Sequence, residues 1–442
     1  MVRIGVTGLA RAGKTALLTS IAGNLLELGK GAGRGAAVLP ALRGRLGERA
    51  ITVAYAPAGA AGLARFPAAA NLAALAADPP RWPDRTDGTS LLALDLRIER
   101  RLGRMKLPAR RLRLELLDYP GEWLLDLPLL AQDFAGWSAA VLRRLEGRPD
   151  AASFLAFVHA LPAGAAADEA LAAAGHQLYR ACLVALRAAG QSFLQPGRFL
   201  MPPPGAPPPW IGFFPALGTG GLQRLLAARF DALRDAVRRE LVDPSFGRVD
   251  RLVVLADILG GLHGGAAAFA DMRAALAAAS GAINRPAAWL AWLDRLVPGR
   301  LPDWVVPWRA GPRRVVWAAT KADHVGRQQR GNLARLIGTM APAGAAPCLH
   351  LALASVRCTE DVAHDLAGRP VSAVRGRLLG GERAALSYPG EVPDSPPDDG
   401  FWRHPFLALP EFAPARLPAG GRGGVPQIGL DELLCFLLDD VL

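Results

Sequence analysis

The chain has 442 residues, of which 51% are hydrophobic and 20% charged, a balance that fits a globular protein and excludes a disordered one. This length suggests two or three domains, or one core with large insertions. The net charge is +12, but the sequence has no run of 18 uncharged apolar residues and no signal-peptide pattern, so we expect a cytoplasmic protein.

The first predicted elements are a strand, a glycine-bearing loop and a helix. Residues 3–7 form a β-branched run, and an apolar helix-forming stretch covers 15–28. Between them residues 8–15, GLARAGKT, match G-x-x-x-x-G-K-[ST]. Such a loop surrounds phosphate with backbone amides, its lysine reaches the β- and γ-phosphates, and its hydroxyl binds Mg²⁺. The predicted nucleotide-binding residues here are Gly8, Ala10, Arg11, Ala12, Gly13, Lys14, Thr15 and Ala16, with Lys14 also catalytic and Thr15 a metal ligand.

Residues 31–80 are rich in Ala, Gly and Pro and read as helix plus irregular connection. The alternating patterns of 91–99 and 111–117 then predict two paired strands. A dense cationic cluster lies within 97–113: Arg97, Arg100, Arg101, Arg104, Lys106, Arg110, Arg111 and Arg113. A solvated hairpin surface is the favoured interpretation, and contact with an anionic membrane remains open. No specific nucleic-acid partner is predicted.

The second of these strands ends in an acid, Asp118, where P-loop proteins place a carboxylate linked to Mg²⁺. Residues 118–121, DYPG, fit D-x-x-G, so the Gly121 amide is predicted to contact the γ-phosphate and to lose that contact after hydrolysis. Glu122 takes the position of a water-orienting residue. It is equally well interpreted as an exposed acid at the start of a helix.

From 124 to 241 the signals are mostly helical, and buried-strand patterns follow at 252–255, 315–319 and 349–354. Residues 320–323, TKAD, follow the second of these and fit the guanine-recognition motif [N/T]-K-x-D. Asp323 would accept hydrogen bonds from guanine N1–H and the 2-amino group, and the Lys321 stem would lie along the base. Ser355 and Val356 stand where a loop amide would reach guanine O6.

The scarcity of lysine supports both motifs. The chain has 47 arginines and only four lysines, and Lys14 and Lys321 are two of the four. A compact ammonium on a flexible stem is what these positions need and what the planar guanidinium does not supply.

Four longer segments resemble the YcjX-like family of bacterial stress-associated P-loop proteins, and the resemblance covers nearly the whole chain. They are DYPGEWLLDLP (118–128), FLQPGRFL (193–200), DRL with AFADM (250–252 and 268–272) and ATKADHV (319–325), which adds His324 to the nucleotide-binding set. The resemblance implies a Ras-like GTPase core with helical insertions. It also implies a link to envelope stress and an inner-membrane protein partner.

By the same resemblance, residues 82–86, WPDRT, form switch I. There Thr86 would bind Mg²⁺, Arg85 would contact phosphate and act in catalysis, and Trp82 would stack on the base. From the residues alone, Trp82 is also compatible with a core aromatic.

These patterns together predict an α/β fold: a Ras-like P-loop core with a mostly parallel sheet, helices on both faces, helical insertions and a C-terminal hairpin and helix. The predicted divisions are a first core part at 1–125, helical insertions at 126–248 and 259–312, a core strand at 249–258, a second core part at 313–369 and an extension at 370–442. The predicted function is Mg²⁺-dependent GTP binding and hydrolysis by a stress-response switch. An ATPase of the same fold and a nucleotide-regulated docking module, cytoplasmic or peripheral at the inner membrane, are the alternatives.

Overall fold

The structure is a computed structural model, and every structural statement below refers to the part of the chain that it describes. That part comprises residues 1–9, 11–30, 38–57, 63–84, 88–102, 105–202, 205, 207–242, 249–284, 313–344, 346–381, 383–404, 406, 409–418 and 423–442.

A large sheet forms the framework of the described chain. Its strands are β1 (Val2–Gly8), β2 (Ile51–Tyr55), β3 (Ala64–Arg65), β4 (Ser90–Leu102), β5 (Met105–Asp118), β6 (Arg251–Ala256), β7 (Arg314–Ala319) and β8 (Cys348–Ala352). The order is β2-β4-β5-β1-β6-β7-β8, and β3 pairs with β4. β4 is antiparallel to β2 and β5, while β5, β1, β6, β7 and β8 are mutually parallel. The carboxyl ends of these five strands therefore lie at one edge, and the strand order reverses at β1, where such sheets bind ligands.

Helices cover both faces of the sheet. The helices of this part are α1 (Lys14–Leu28), α2 (Pro40–Leu46), α3 (Ala68–Ala76), α8 (Ile258–His263), α10 (Arg330–Met340) and α11 (Leu430–Leu438). On one face α1, α2 and α11 pack against alternate strand residues such as Ile4, Val253 and Val316. On the other face α10 packs over β8, where the Gly338 backbone lies against the His350 ring. This architecture confirms the predicted α/β fold.

The described chain divides into two compact units. The core unit comprises Met1–Pro120, Val249–Phe269 and Pro312–Leu442, and the helical unit comprises Gly121–Arg248 and Ala270–Gly311. The predicted divisions at 125/126 and 258/259 lie five residues after and eleven residues before the corresponding unit boundaries, because the segment after Pro120 packs within the helical unit and α8 packs within the core unit.

The helical unit is built around aromatic side chains. Its elements are a 3-10 helix at Gly121–Ala131, then α4 (Phe134–Leu145), α5 (Ala152–His159), α6 (Glu169–Ala188) and α7 (Gly221–Val242), with short 3-10 turns at Pro149–Ala151 and Gly197–Phe199. Trp137 is fully buried, and its ring lies 5.1 Å from Phe230 and 5.5 Å from Phe213. Aromatic burial of this kind contributes a large apolar area to a small core.

One helix, α9 (Gly265–Asn284), contains the stretch Gly265–Ile283, which is long and apolar enough to cross a membrane by length and composition alone. Asp271 lies within this stretch, and its carboxylate accepts the backbone N–H groups of Ser192 and Phe193 at 2.5 and 2.7 Å. A buried acid with these protein partners is typical of a core helix and unfavourable for a lipid-facing one.

The C-terminal part adds a second sheet of three antiparallel strands, β9 (Thr359–Leu366), β10 (Arg369–Arg377) and β11 (Ala384–Ser387). The hairpin predicted at 370–390 corresponds to β10 and β11, whereas β9 was missing from the prediction. Short 3-10 turns lie at Ala322–His324, Arg327–Gln329 and Phe401–Arg403.

A buried ion pair holds the 3-10 helix of the helical unit. The Asp126 carboxylate is fully buried, and it accepts the Gly197 N–H at 2.7 Å and a guanidinium N–H of Arg198 at 2.7 Å. The same guanidinium lies 4.6 Å over the Trp123 ring. Burial raises the pKa of Asp126, and the Arg198 charge opposes that rise. Among the contacts that favour the ionised acid, the Arg198 charge is the largest.

Replacing Asp126 with alanine is expected to lower the free energy of unfolding of the helical unit by about 3–5 kcal/mol, because it leaves the Arg198 charge buried without its partner. Urea unfolding monitored by tryptophan fluorescence measures this loss. The matched control is Asp235→Ala, which removes the exposed Asp235–Arg238 pair in the same unit and is expected to cost at most about 1 kcal/mol. Equal losses in the two variants would contradict the assignment.

Candidate functional site

The phosphate loop joins β1 to α1 at the carboxyl edge of the sheet. Gly8 must be glycine because a Cβ there would clash with the backbone of Leu255 in β6, and the next amide, that of Leu9, donates to the Leu255 carbonyl at 3.0 Å. Gly13 has a φ of 83°, a left-handed conformation that favours glycine, and it precedes the first residue of α1. Both glycines of the motif thus stand at positions where the backbone requires or favours glycine.

Four of the predicted nucleotide-binding residues lie in this loop and in the first turn of α1. The Lys14 ammonium donates to the Gly8 carbonyl at 3.5 Å, so the lysine folds back over the loop. Ala12 is buried, whereas Thr15 and Ala16 are half-buried at the start of α1. Ala10 lies outside the described residues.

The predicted metal carboxylate, Asp118, ends β5 beside the phosphate loop. It pairs with Val6 of β1 and with Ser90 of β4, and it is only 3% exposed. The Ser90 hydroxyl is buried without a hydrogen-bond partner among the described residues. Carboxylate and hydroxyl oxygens are the hard donors that Mg²⁺ prefers, so this edge of the sheet fits the ion. Within the described chain no group of three or more His, Cys, Asp or Glu side chains is placed to hold a metal.

Switch I is described only in part. Arg85 and Thr86 lie outside the described residues, so their predicted roles stay predictions. The Trp82 indole N–H donates to the Phe412 carbonyl at 3.0 Å, and its half-buried ring packs against a cluster of Leu75, Val356, Leu417 and Val425 that also contacts Ala16 and Cys358.

The base-recognition segment follows β7, two strands away from β1. Asp323 is 3% exposed, and its carboxylate accepts the backbone N–H of Cys358 at 2.8 Å. Its carbonyl accepts the Thr359 hydroxyl at 2.5 Å. The Asp323 side chain is therefore buried and oriented by the residues that follow β8. The bond from the Cys358 amide uses one carboxylate oxygen, Oδ2, and leaves Oδ1 to other donors.

Thr320 stands where asparagine is commoner in this motif. Its backbone N–H and its hydroxyl both point to the Ala256 carbonyl, at 2.9 and 3.2 Å. The threonine thus ties the carboxyl end of β7 to that of β6, a structural task that places the following lysine and acid at the sheet edge.

The loop with the predicted O6 contacts, Ser355 and Val356, is held by a C-terminal segment, which comprises the described residues 412–418 and 423–428. Ala354 forms a β-bridge with Ile428, and the Arg357 N–H donates to the Pro426 carbonyl at 2.7 Å. Asn24 of α1 exchanges hydrogen bonds with the Val425 N–H and carbonyl, at 3.0 and 3.1 Å. The C-terminal segment therefore joins α1 to the base-recognition loop, a role that sequence reasoning missed.

His324 contacts the same segment, since its ring lies 5.2 Å from that of Phe412. Burial lowers the pKa of His324, and the neighbouring Asp323 carboxylate opposes this effect. The imidazole is accordingly neutral at physiological pH and adds no charge beside Asp323.

Gly121 and Glu122 belong to the helical unit, where they begin the 3-10 helix. The Glu122 carboxylate lies 3.7 Å from the Arg187 guanidinium of α6. Gly197 packs directly against the Glu122 backbone and has no room for a Cβ. Their predicted catalytic roles remain predictions.

Comparison with known proteins decides the family. The model of the YcjX-like family matches residues 2–442. The chain belongs to this family. It is 34% identical to the Ras-like GTPase YcjX of Escherichia coli (strain K12), over 100% of this chain and 96% of the relative. It is 30% identical to the Ras-like GTPase YcjX of Shewanella oneidensis, over 100% and 94% respectively. The family resemblance of the sequence motifs is thereby confirmed.

Because the pKa of His324 is lowered in the folded state, the unfolded chain binds an additional proton below the ordinary histidine pKa of about 6.5. The stability that this group contributes to the fold is present above that pH and is lost as the pH falls below it. We expect His324→Gln to flatten the fall of the thermal midpoint over this range. The control is His364→Gln on the exposed surface of β9. An unchanged pH profile in His324→Gln would show that the ring titrates normally.

Proposed function

We propose that the protein binds guanine nucleotides and hydrolyses GTP to GDP with Mg²⁺, acting as a nucleotide-dependent switch. One observation supports this most strongly: the phosphate loop and a buried, oriented acid, Asp323, both follow parallel strands at the same edge of one sheet. The names of the two relatives, both called Ras-like GTPases, point in the same direction.

Selection of guanine follows from the chemistry of Asp323. An ionised carboxylate only accepts hydrogen bonds, and its two oxygens offer about four acceptor sites. The Cys358 amide uses one of them. The remaining sites suit the two donors of the guanine edge, N1–H and the 2-amino group. Adenine has an acceptor at N1 and no 2-amino group, so it would leave the remaining acceptor sites of the buried carboxylate unpaired.

The Mg²⁺ ion would be held by Thr15 and Asp118, together with Thr86 by family resemblance. Such an ion would neutralise the negative charge that develops on the phosphates during phosphoryl transfer. Lys14 would supply a further positive charge to the same phosphates. In hydrolysis water attacks the γ-phosphorus and the bond to the β–γ bridging oxygen breaks. We assign the orientation of this water to Glu122, a γ-phosphate contact to Gly121 and a charge-stabilising role to Arg85.

One observation favours an additional docking role. Arg97 and Arg111 lie directly opposite each other on β4 and β5, and both are exposed. Arg100 and Arg110 are also exposed, and none of the four has an ion-pair partner among the described residues. Like charges placed opposite each other on a sheet are unfavourable unless an anionic partner compensates them. We therefore also propose that this protein is cytoplasmic and acts in a stress response. In this role its arginine-rich hairpin would contact the inner membrane or a membrane protein.

Asp323→Asn tests base selection. The Cys358 N–H fixes the amide oxygen, so the amide N–H₂ replaces the acceptor that faces the guanine donors. Losing two charge-assisted hydrogen bonds, at roughly 1.5–3 kcal/mol each, should weaken GTP about 10² to 10⁴-fold. Xanthosine triphosphate, which has an oxygen at position 2, should then bind better than GTP. Competition titrations with ATP as a third ligand measure this, and exposed Asp365→Asn is the control. A wild type that prefers ATP would establish the ATPase alternative.

Glu122→Ala tests the water-orienting role. We expect single-turnover GTP hydrolysis to fall about 10²-fold, as when a positioned acid–base group is removed, while GTP affinity stays within twofold. Lys14→Ala, which should lose nucleotide binding itself, provides the baseline. Arg187→Ala is the matched control because it breaks the Glu122 ion pair without removing the carboxylate. If Arg187→Ala lowers turnover as much as Glu122→Ala, the glutamate has only a structural role.

A further inference from the structure

An acid that the sequence motifs do not include lies against the base-recognition lysine. Asp257 directly follows β6, and its carboxylate Oδ2 lies 2.5 Å from Nζ of Lys321. The Lys321 side chain is 40% exposed and that of Asp257 is 15% exposed, so the pair stands at the edge of the site and only the acid is largely covered. The Lys321 ammonium, just after β7, is thus held by the residue that directly follows the neighbouring strand β6.

Two backbone features fix this pair. Lys321 has a φ of 59°, a left-handed conformation that is uncommon for a side-chain-bearing residue and that persists where surrounding contacts impose it. Thr320 supplies one such contact through its two bonds to the Ala256 carbonyl, immediately before Asp257. On the other side Gly260 allows the carboxylate to approach, since a Cβ there would lie 2.8 Å from Asp257 Oδ2.

The alternative partner of the ammonium is the base-reading acid itself. Lys321 and Asp323 are separated by one residue, and Asp323 must keep acceptor sites available for guanine. An ammonium paired with Asp323 would compete with the guanine donors for the same oxygens. By attracting the ammonium toward β6, Asp257 keeps the lysine stem extended and leaves Asp323 to the base.

We propose that Asp257 is a positioning residue for base recognition, which acts through Lys321 to sustain the preference for guanine over adenine. This inference rests on the proposed guanine-nucleotide site and adds to it a determinant of specificity.

Asp257 also has a purely structural task, which the test must separate. Its Oδ1 accepts the Gly260 N–H at 3.0 Å and so caps the N-terminus of α8. Asparagine is about as good an N-cap as aspartate, so Asp257→Asn retains the cap and removes only the charge that holds Lys321. Asp168→Asn is the matched control, since Asp168 caps α6 through the Leu171 N–H at 2.9 Å and lies outside the proposed site.

The experiment measures the dissociation constants of GDP, ADP and inorganic tripolyphosphate by calorimetry. In Asp257→Asn we expect GDP to bind about tenfold more weakly, in line with the loss of one charge-assisted contact at a partly exposed position. Tripolyphosphate, which reports only on the phosphate loop, should change by less than about twofold. Asp168→Asn should match the wild type for all three ligands.

A double-mutant cycle distinguishes positioning from packing. Lys321→Ala should weaken GDP by a similar factor, and adding Asp257→Asn to it should cause no further loss beyond about twofold, because Asp257 acts only through the lysine. Unchanged GDP affinity in Asp257→Asn, or a full additional loss in the Lys321→Ala background, would overturn the inference. A wild type that binds GDP no better than ADP would instead overturn the proposed function on which it rests.

Discussion

The close approach of Gly8 to Leu255 is the constraint on which the geometry of the site depends. Without a Cβ at Gly8, the end of β1 lies directly against β6, and the Leu9 amide bonds to the Leu255 carbonyl. This contact sets the register of the phosphate loop relative to β6. β6 in turn aligns with β7, whose end carries the base-recognition segment. A single small residue thus connects the proposed phosphate-binding end of the site to its proposed base-reading end.

The contacts at the base-reading end come from distant parts of the chain. Asp323 is oriented by the Cys358 amide, and Lys321 is held by Asp257. The loop after β8 is bound to the C-terminal segment, which is bound in turn to Asn24. Preorganised polar groups avoid much of the ordering cost of binding. In the proposed site, this extension of the core therefore contributes to nucleotide affinity although it carries no recognisable motif.

The parts of the fold that sequence could predict are those with local signals. The phosphate loop and the TKAD segment are each a short, continuous sequence motif. Strands β4 to β8 have clear alternating or buried hydrophobic patterns. β2 was missed because the residues that surround it are rich in Ala, Gly and Pro, and β9 because its residues are mostly exposed. Asp257 and the C-terminal segment left no local signal, since the Lys321–Asp257 and Asn24–Val425 contacts span 64 and 401 residues. Only the folded chain brings such residues together.

If this site selects guanine, the nucleotide that the purified protein retains must show that preference. Purified protein would be incubated with equimolar GTP and ATP in the presence of Mg²⁺ and separated from unbound nucleotide by gel filtration. The bound nucleotide would then be released by acid and identified by ion-exchange chromatography. We expect GTP and GDP with little adenine nucleotide. Retention of ATP or ADP, alone or in equal proportion, would contradict it.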